Sequence, residues 1–234
     1  MTEIQSLFEE LDKLSYPNTM SLVKGEIKGR AFFPGGKGTF DNEEIVSDKE
    51  IMILGQDFDC EDNFKVSRDN GKEDIKKNPT WRNLLCLLEE VNISSINCFF
   101  TNAILGVRIG NKGTGKSPAF RDLNFIKDCQ DFFLQQIQLQ KPKAIFVLGK
   151  FTAKFLSNMS KDLNCWNQIK NFETLDKNKN QVKTKVLFKN GIETNLVLLT
   201  HPSFRPSNVS RREYNGKSGH EAEINMINAV LLPN

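Results

Sequence analysis

Ile51-Met52-Ile53-Leu54-Gly55-Gln56-Asp57 runs four apolar side chains into a glycine, an amide and a carboxylate. A continuous apolar block, as opposed to an alternating one, describes a strand covered on both faces. The strand is read as Glu50–Gly55, and three blocks of the same kind follow at Asn97–Leu105, Ala144–Gly149 and Asn195–Thr200. Between them lie helical spacings. Trp81–Val91 aligns Leu84, Leu85, Leu88 and Val91, and Phe120–Leu139 aligns Phe125, Cys129, Phe132, Phe133 and Ile137. Phe151–Met159 and His220–Leu232 are shorter candidates. Strands alternating with helices predict an α/β fold with a four-stranded, mostly parallel central sheet flanked by helices.

Several segments fall outside that alternation. Lys183–Lys189, Asn190-Gly191 and Ile192–Leu199 read as a hairpin, and the polar stretch Asp176–Gln181 reads as an exposed turn. Phe33-Pro34-Gly35-Gly36-Lys37-Gly38 is a glycine-rich loop ahead of the first core strand. The expected organisation is a single domain over residues 1–234. An N-terminal helix and loop would fill residues 1–45, with the core over 50–232.

A parallel sheet binds ligands beyond the carboxyl ends of its strands. The residues at those ends are Gln56-Asp57, Asn102 and His201-Pro202-Ser203. A carboxylate, an amide and an imidazole converging on one edge would form a reactive site. Each also has a plainer use: Asp57 as a cap, Asn102 as a satisfied strand end, His201 as a turn residue before proline.

The chain has 234 residues, 38% hydrophobic and 26% charged, with a formal net charge of +3. No apolar run reaches the roughly eighteen residues of a membrane span, and Met1–Lys13 is acidic and amphipathic, unlike a signal peptide. Five scattered cysteines without a Cys-x-x-Cys spacing argue against a disulfide framework and against a zinc or iron–sulfur site. A cytoplasmic protein without metal or organic cofactor is expected. Bulk charge does not announce nucleic acid, but His201–Lys217 carries Arg205, Arg211, Arg212 and Lys217 against Glu213 alone. Such a local patch suits phosphate, and equally a solvated loop.

Taken in order, these segments resemble the uracil-DNA glycosylase superfamily, from about Glu50 to about Leu232. Ile53-Leu54-Gly55-Gln56-Asp57 looks like the strand and first half of that family's Gly-Gln-Asp-Pro-Tyr-His motif. Pro79-Thr80-Trp81-Arg82-Asn83-Leu84 is similar to the proline-led start of the next helix. Phe99-Phe100-Thr101-Asn102-Ala103 resembles the strand ending in the base-reading asparagine, and Ile145-Phe146-Val147-Leu148-Gly149-Lys150 the third strand. Leu199-Thr200-His201-Pro202-Ser203 is similar to the signature that carries the catalytic histidine.

The resemblance implies a monomeric enzyme that flips a base out of DNA and hydrolyses its N-glycosidic bond. Asp57 would then stabilise the cationic sugar and orient water, as carboxylates do in other glycosidases. His201 would stabilise charge on the leaving base. Asn102 would read the base's Watson–Crick edge, and Gln56 would contribute mainly through its backbone. Phe64 is the expected stacking platform, with core packing the plainer alternative. Phe204 or Arg205 would wedge into the emptied stack. Lys37, Thr80, Ser203, Ser207, Arg211 and Arg212 are the candidates for the DNA backbone.

One departure bears on substrate. The family's Pro-Tyr-His is replaced by Phe58-Asp59-Cys60. In the resembling enzymes the tyrosine shuts out a methyl group at C5 of the base, and Asp59 would leave a shorter, polar wall. The expected substrate is therefore a C5-modified pyrimidine, oxidised, hydroxymethylated or glycosylated, as in some phage DNA, with a role in defence. If Phe58 or Phe64 closes the pocket, uracil repair stands instead. Two rivals lie outside this chemistry. Gly110-Asn111-Lys112-Gly113-Thr114-Gly115-Lys116-Ser117 fits a P-loop pattern, although no later strand ends in a metal-holding aspartate. A module that captures DNA without cutting it is the other.

Overall fold

The computed structural model describes residues 1–232. Its centre is a five-stranded sheet: β1 (Ile51–Gly55), β2 (Cys98–Asn102), β3 (Ala144–Leu148), β4 (Val182–Leu187) and β5 (Glu193–Leu199). The strand order is β2-β1-β3-β5-β4. The first four in that order run parallel, and β4 pairs antiparallel with β5. The sheet is thus mixed and has one strand more than the sequence predicts. The extra strand is the first arm of the expected hairpin. A tight turn forces that arm to run antiparallel, and the run Lys183-Thr184-Lys185 in its middle hides it from a search for apolar blocks.

Eight helices surround the sheet among the described residues: α1 (Glu3–Leu11), α2 (Glu61–Asp69), α3 (Pro79–Glu90), α4 (Leu123–Gln140), α5 (Lys150–Leu156), α6 (Phe172–Lys177), α7 (Arg205–Asn208) and α8 (Gly219–Leu231). Strand periodicity sorts the core. Along β1, Met52 and Leu54 face a layer holding α1, α4 and α5, while Ile51 and Ile53 face α3 and α8. Each buried Ile, Leu or Phe in these layers contributes roughly 1.5–3 kcal/mol. Asn78 caps α3, its side chain accepting from the Thr80 N–H at 2.9 Å, and Pro79 occupies the first turn, where its missing N–H costs nothing. Asp122 caps α4 by accepting from the Phe125 N–H at 3.0 Å.

Asp176–Gln181 is not an exposed turn throughout. Asp176 lies in α6 and is buried, because it pairs with Arg212 at 2.8 Å. The five cysteines are free, with Cys60, Cys98 and Cys129 buried. Among the described residues no helix is long and apolar enough to cross a membrane, and no cluster of His, Cys, Asp or Glu could hold a metal ion.

Candidate active site

Because β1, β2, β3 and β5 run parallel, their carboxyl ends open on one edge of the sheet. A cavity of about 820 Å³ lies there, lined by Gln56, Asp57, Asn102, Gly149, Thr200 and His201 among others. That volume falls within the range of pockets that enclose a ligand the size of a nucleoside.

Close packing sets the strand ends. Gly55 pairs in register with Asn102, and a β-carbon on Gly55 would stand 2.4 Å from the Asn102 Oδ1. Only glycine lets the amide lie flat against β1. Asn102 donates from Nδ2 to the Phe33 carbonyl at 3.3 Å, which leaves Oδ1 and its other N–H for a ligand. Gly149 turns out of β3 at φ +85°, a conformation that favours glycine, and packs beneath His201.

His201 follows β5 at the start of a short 3-10 turn, Pro202–Phe204. The Ser203 N–H donates to its Nδ1 at 3.3 Å, and the Ser203 Oγ lies 2.9 Å from the same nitrogen. With Nδ1 serving as acceptor, the neutral ring carries its proton on Nε2. Burial pushes the His201 pKa down to about 4, so the ring is neutral at physiological pH. It can therefore donate one hydrogen bond to developing negative charge.

The turn is anchored from behind. Glu223 of α8 is fully buried and accepts from the Thr200 N–H at 2.7 Å. The same carboxylate binds Arg212 at 2.8 Å and Arg205 at 2.9 Å. From α3, Asn83 donates to the Pro202 carbonyl at 2.8 Å.

The Asp57 side chain is buried and ion-paired with Arg108, Nε to Oδ2 at 2.6 Å and Nη2 to Oδ1 at 3.0 Å. Burial raises the Asp57 pKa above the usual carboxylate range, and the Arg108 guanidinium offsets part of that rise. Arginine does not give up its proton in proteins. Protonating Asp57 would leave the buried guanidinium without a counter-charge, which favours the ionised pair.

Gly110–Ser117 wraps around that pair. The carbonyls of Thr114 and Gly115 accept from Arg108 at 2.8 and 3.0 Å. The Gln56 side chain ties the loop down, donating to the Gly115 carbonyl at 3.0 Å and accepting from the Ser117 N–H at 3.4 Å. A phosphate cradle turns amides inward; this loop turns carbonyls inward onto a cation. The P-loop reading is overturned on that geometry.

Other expected residues divide. Phe58, Asp59, Thr80, Ser203, Phe204 and Arg211 line the cavity with the central three. Phe204 is half-exposed, Ser207 and Arg211 are exposed, and the Ser203 hydroxyl is used on His201. Phe64 is not a stacking platform: it is buried in edge-to-face contact with Phe58, 5.3 Å between centroids, and does not line the cavity. Arg205 is held by Glu223 and contacts His220, whereas Phe204 leaves half of its surface exposed at the cavity. Arg212 has no face for DNA, being fully buried between Asp176 and Glu223. Lys37 is paired with Glu44 away from the cavity.

Among the lining residues that sequence reasoning missed, four charged ones bear on the chemistry. Lys150 and Lys170 place cations at the cavity, Glu73 places a buried carboxylate there, and Arg108 grips Asp57. Glu73 accepts from the Phe32 N–H and from Asn78 Nδ2, each at 3.1 Å. Burial pushes its pKa up to about 7. Only Arg108 left a readable signal, as a lone charge in the otherwise uncharged run Cys98–Ile109.

No curated protein matches the chain in sequence. The model of the uracil DNA glycosylase superfamily matches residues 69–226, a span that takes in Asn102 and His201 and begins after Asp57. The match covers more than half of the chain, and the chain belongs to the uracil DNA glycosylase superfamily.

Proposed function

We propose that the protein is a DNA glycosylase that extrudes a pyrimidine carrying a C5 substituent and hydrolyses its N-glycosidic bond. The observation that carries this reading is the meeting of Asp57, Asn102 and His201 around one cavity. An ionised carboxylate favours the cationic sugar, the neutral imidazole donates to the leaving base, and the amide reads the base edge. Asp57, Asn102 and His201 act on the nucleotide; Glu223, Asn83 and Ser203 hold His201 in place. Superfamily membership supports base excision as the reaction class.

The substituent is argued from the wall beyond the base. Asp59 lines the cavity at φ +75°, and past it the lining continues through Asn63, Ser67, Asn70 and Glu73. These groups accept and donate hydrogen bonds, as a hydroxylated or glycosylated substituent requires. A host enzyme that removes such bases from invading DNA would serve defence. Plain uracil is the second reading, favoured by Phe58, whose ring forms part of the same wall.

The test is mass spectrometry of free bases released from duplexes containing uracil, thymine, 5-hydroxymethylcytosine or its glucosylated form. We expect release of a C5-substituted pyrimidine, reduced about 100-fold or more by Asp57→Asn. Release of uracil alone would remove the enlarged-pocket reading. Tight DNA binding with no base released from any duplex would leave a capture module.

A further inference from the structure

We infer that Arg108 is the positioning residue of this site, holding Asp57 ionised and aimed while coupling it to the Gly110–Ser117 loop. The inference rests on the glycosylase reading for its consequence in catalysis, though not for its geometry.

The backbone of Arg108 is clamped on two sides. Val107–Arg108 pairs antiparallel with Met20–Ser21, and the Arg108 N–H donates to the Asp59 carbonyl at 2.9 Å. The side chain is 4% exposed and has no freedom to swing into solvent. A guanidinium has five N–H donors in a fixed fork. Here they face five acceptors: both Asp57 oxygens, the carbonyls of Thr114 and Gly115, and more distantly that of Lys112 at 3.5 Å. A fully engaged cation in a rigid frame serves as a fixture, not as a ligand-binding arm.

Two consequences follow for Asp57. Desolvation favours the neutral acid, which would give no stabilisation to a cationic sugar. Arg108 opposes that by supplying a permanent charge at bidentate range. The fork also dictates orientation, because it occupies one edge of the carboxylate and leaves the remaining lone pairs for water or sugar. The other groups bearing on Asp57 are Ser117, which lowers its pKa, and Asp59, which raises it. Neutral His201 and buried Glu73 share the cavity. Among these groups Arg108 is the cation in contact with the carboxylate. Lysine would be a poor replacement, since its ammonium is a point charge without the fork.

The test compares wild type, Arg108→Lys and Arg108→Met in single-turnover base release across pH. Activity requires ionised Asp57, so it falls as pH drops through the pKa of that group. Removing the cation raises that pKa and moves the acid limb upward. We expect Arg108→Met to lower the rate constant at neutral pH at least tenfold with KM little changed, and to shift the acid limb up by about one unit or more. Arg108→Lys should recover part of the limb position and less of the rate. A folded Arg108→Met with a wild-type acid limb, or with a loss confined to KM, overturns the inference.

A second readout is independent of activity: carboxylate ¹³C NMR of Asp57, assigned by its loss in Asp57→Asn. Asp57 should be ionised at pH 7 in wild type and protonated there in Arg108→Met. A neutral Asp57 in the wild-type protein overturns the inference even if Arg108→Met fails to fold. Wild-type protein that releases no base from any DNA would defeat the glycosylase reading, while the NMR titration would still decide the role of Arg108.

Discussion

His201 and Glu73 pull the pH dependence of stability in opposite directions. The His201 pKa is pushed down from 6.5 to about 4. Its contribution is present above about pH 6.5 and is lost as pH falls toward 4, on the order of 3 kcal/mol in all. The Glu73 pKa is pushed up from 4.5 to about 7, so the fold prefers its neutral form. That contribution is present below about pH 4.5 and is lost as pH rises through 7. Thermal melts should show His201→Gln flattening the profile between pH 6.5 and 4, and Glu73→Gln flattening it between 4.5 and 7. An unchanged slope in either variant would contradict the burial assigned to that side chain. Asp57, Asn102 and His201 are legible because strand ends in a parallel sheet are predictable from apolar blocks. Phe64 is not, since sequence cannot tell an aromatic facing a cavity from one packed beneath another ring.

The elements that carry His201 depend on a buried charge cluster. β5 delivers Thr200-His201, α8 delivers Glu223, α6 delivers Asp176, and Arg212 joins the two acids. Breaking a buried pair by removing one partner costs about 3–5 kcal/mol, because the survivor is left charged without water. Arg212→Met strands both Asp176 and Glu223, so denaturant melts should show a destabilisation of that size. A change under about 1 kcal/mol would mean that the cluster does not hold these elements together. At this scale the sequence misleads in one direction. Arg205, Arg212 and Asp176 read as surface charges because charged residues seldom bury unless paired. Their partners lie 18, 11 and 36 residues away, and no local pattern reveals such pairs. The helix α2 escapes notice for the opposite reason: it buries Phe64 alone and shows no apolar stripe.

Across the molecule, a net charge of +3 matters less than where the cations sit. Lys150, Lys170 and Arg211 share the cavity lining, whereas Arg212 and Arg205 are spent internally. Taking one cation off the DNA backbone lowers the slope of log affinity against log salt by about 0.9. Arg211→Ala should therefore reduce the slope for duplex DNA by about one, and a slope equal to wild type would place Arg211 off the DNA path. Phe204 stands at the same rim, half-exposed and 6.0 Å from the His201 ring.

The far edge of the sheet has a consequence for how the chain behaves in company. An open strand is a template on which another polypeptide can grow. β4 ends the sheet on that side, but its register with β5 slips between Lys183 and Val186, and Lys185 there takes φ +51°. Lys183 borders the slip and Lys185 lies within it. A newcomer would meet a kinked row of amides and like charge, so crowding alone gives this border little tendency to recruit further strands or to seed fibrils.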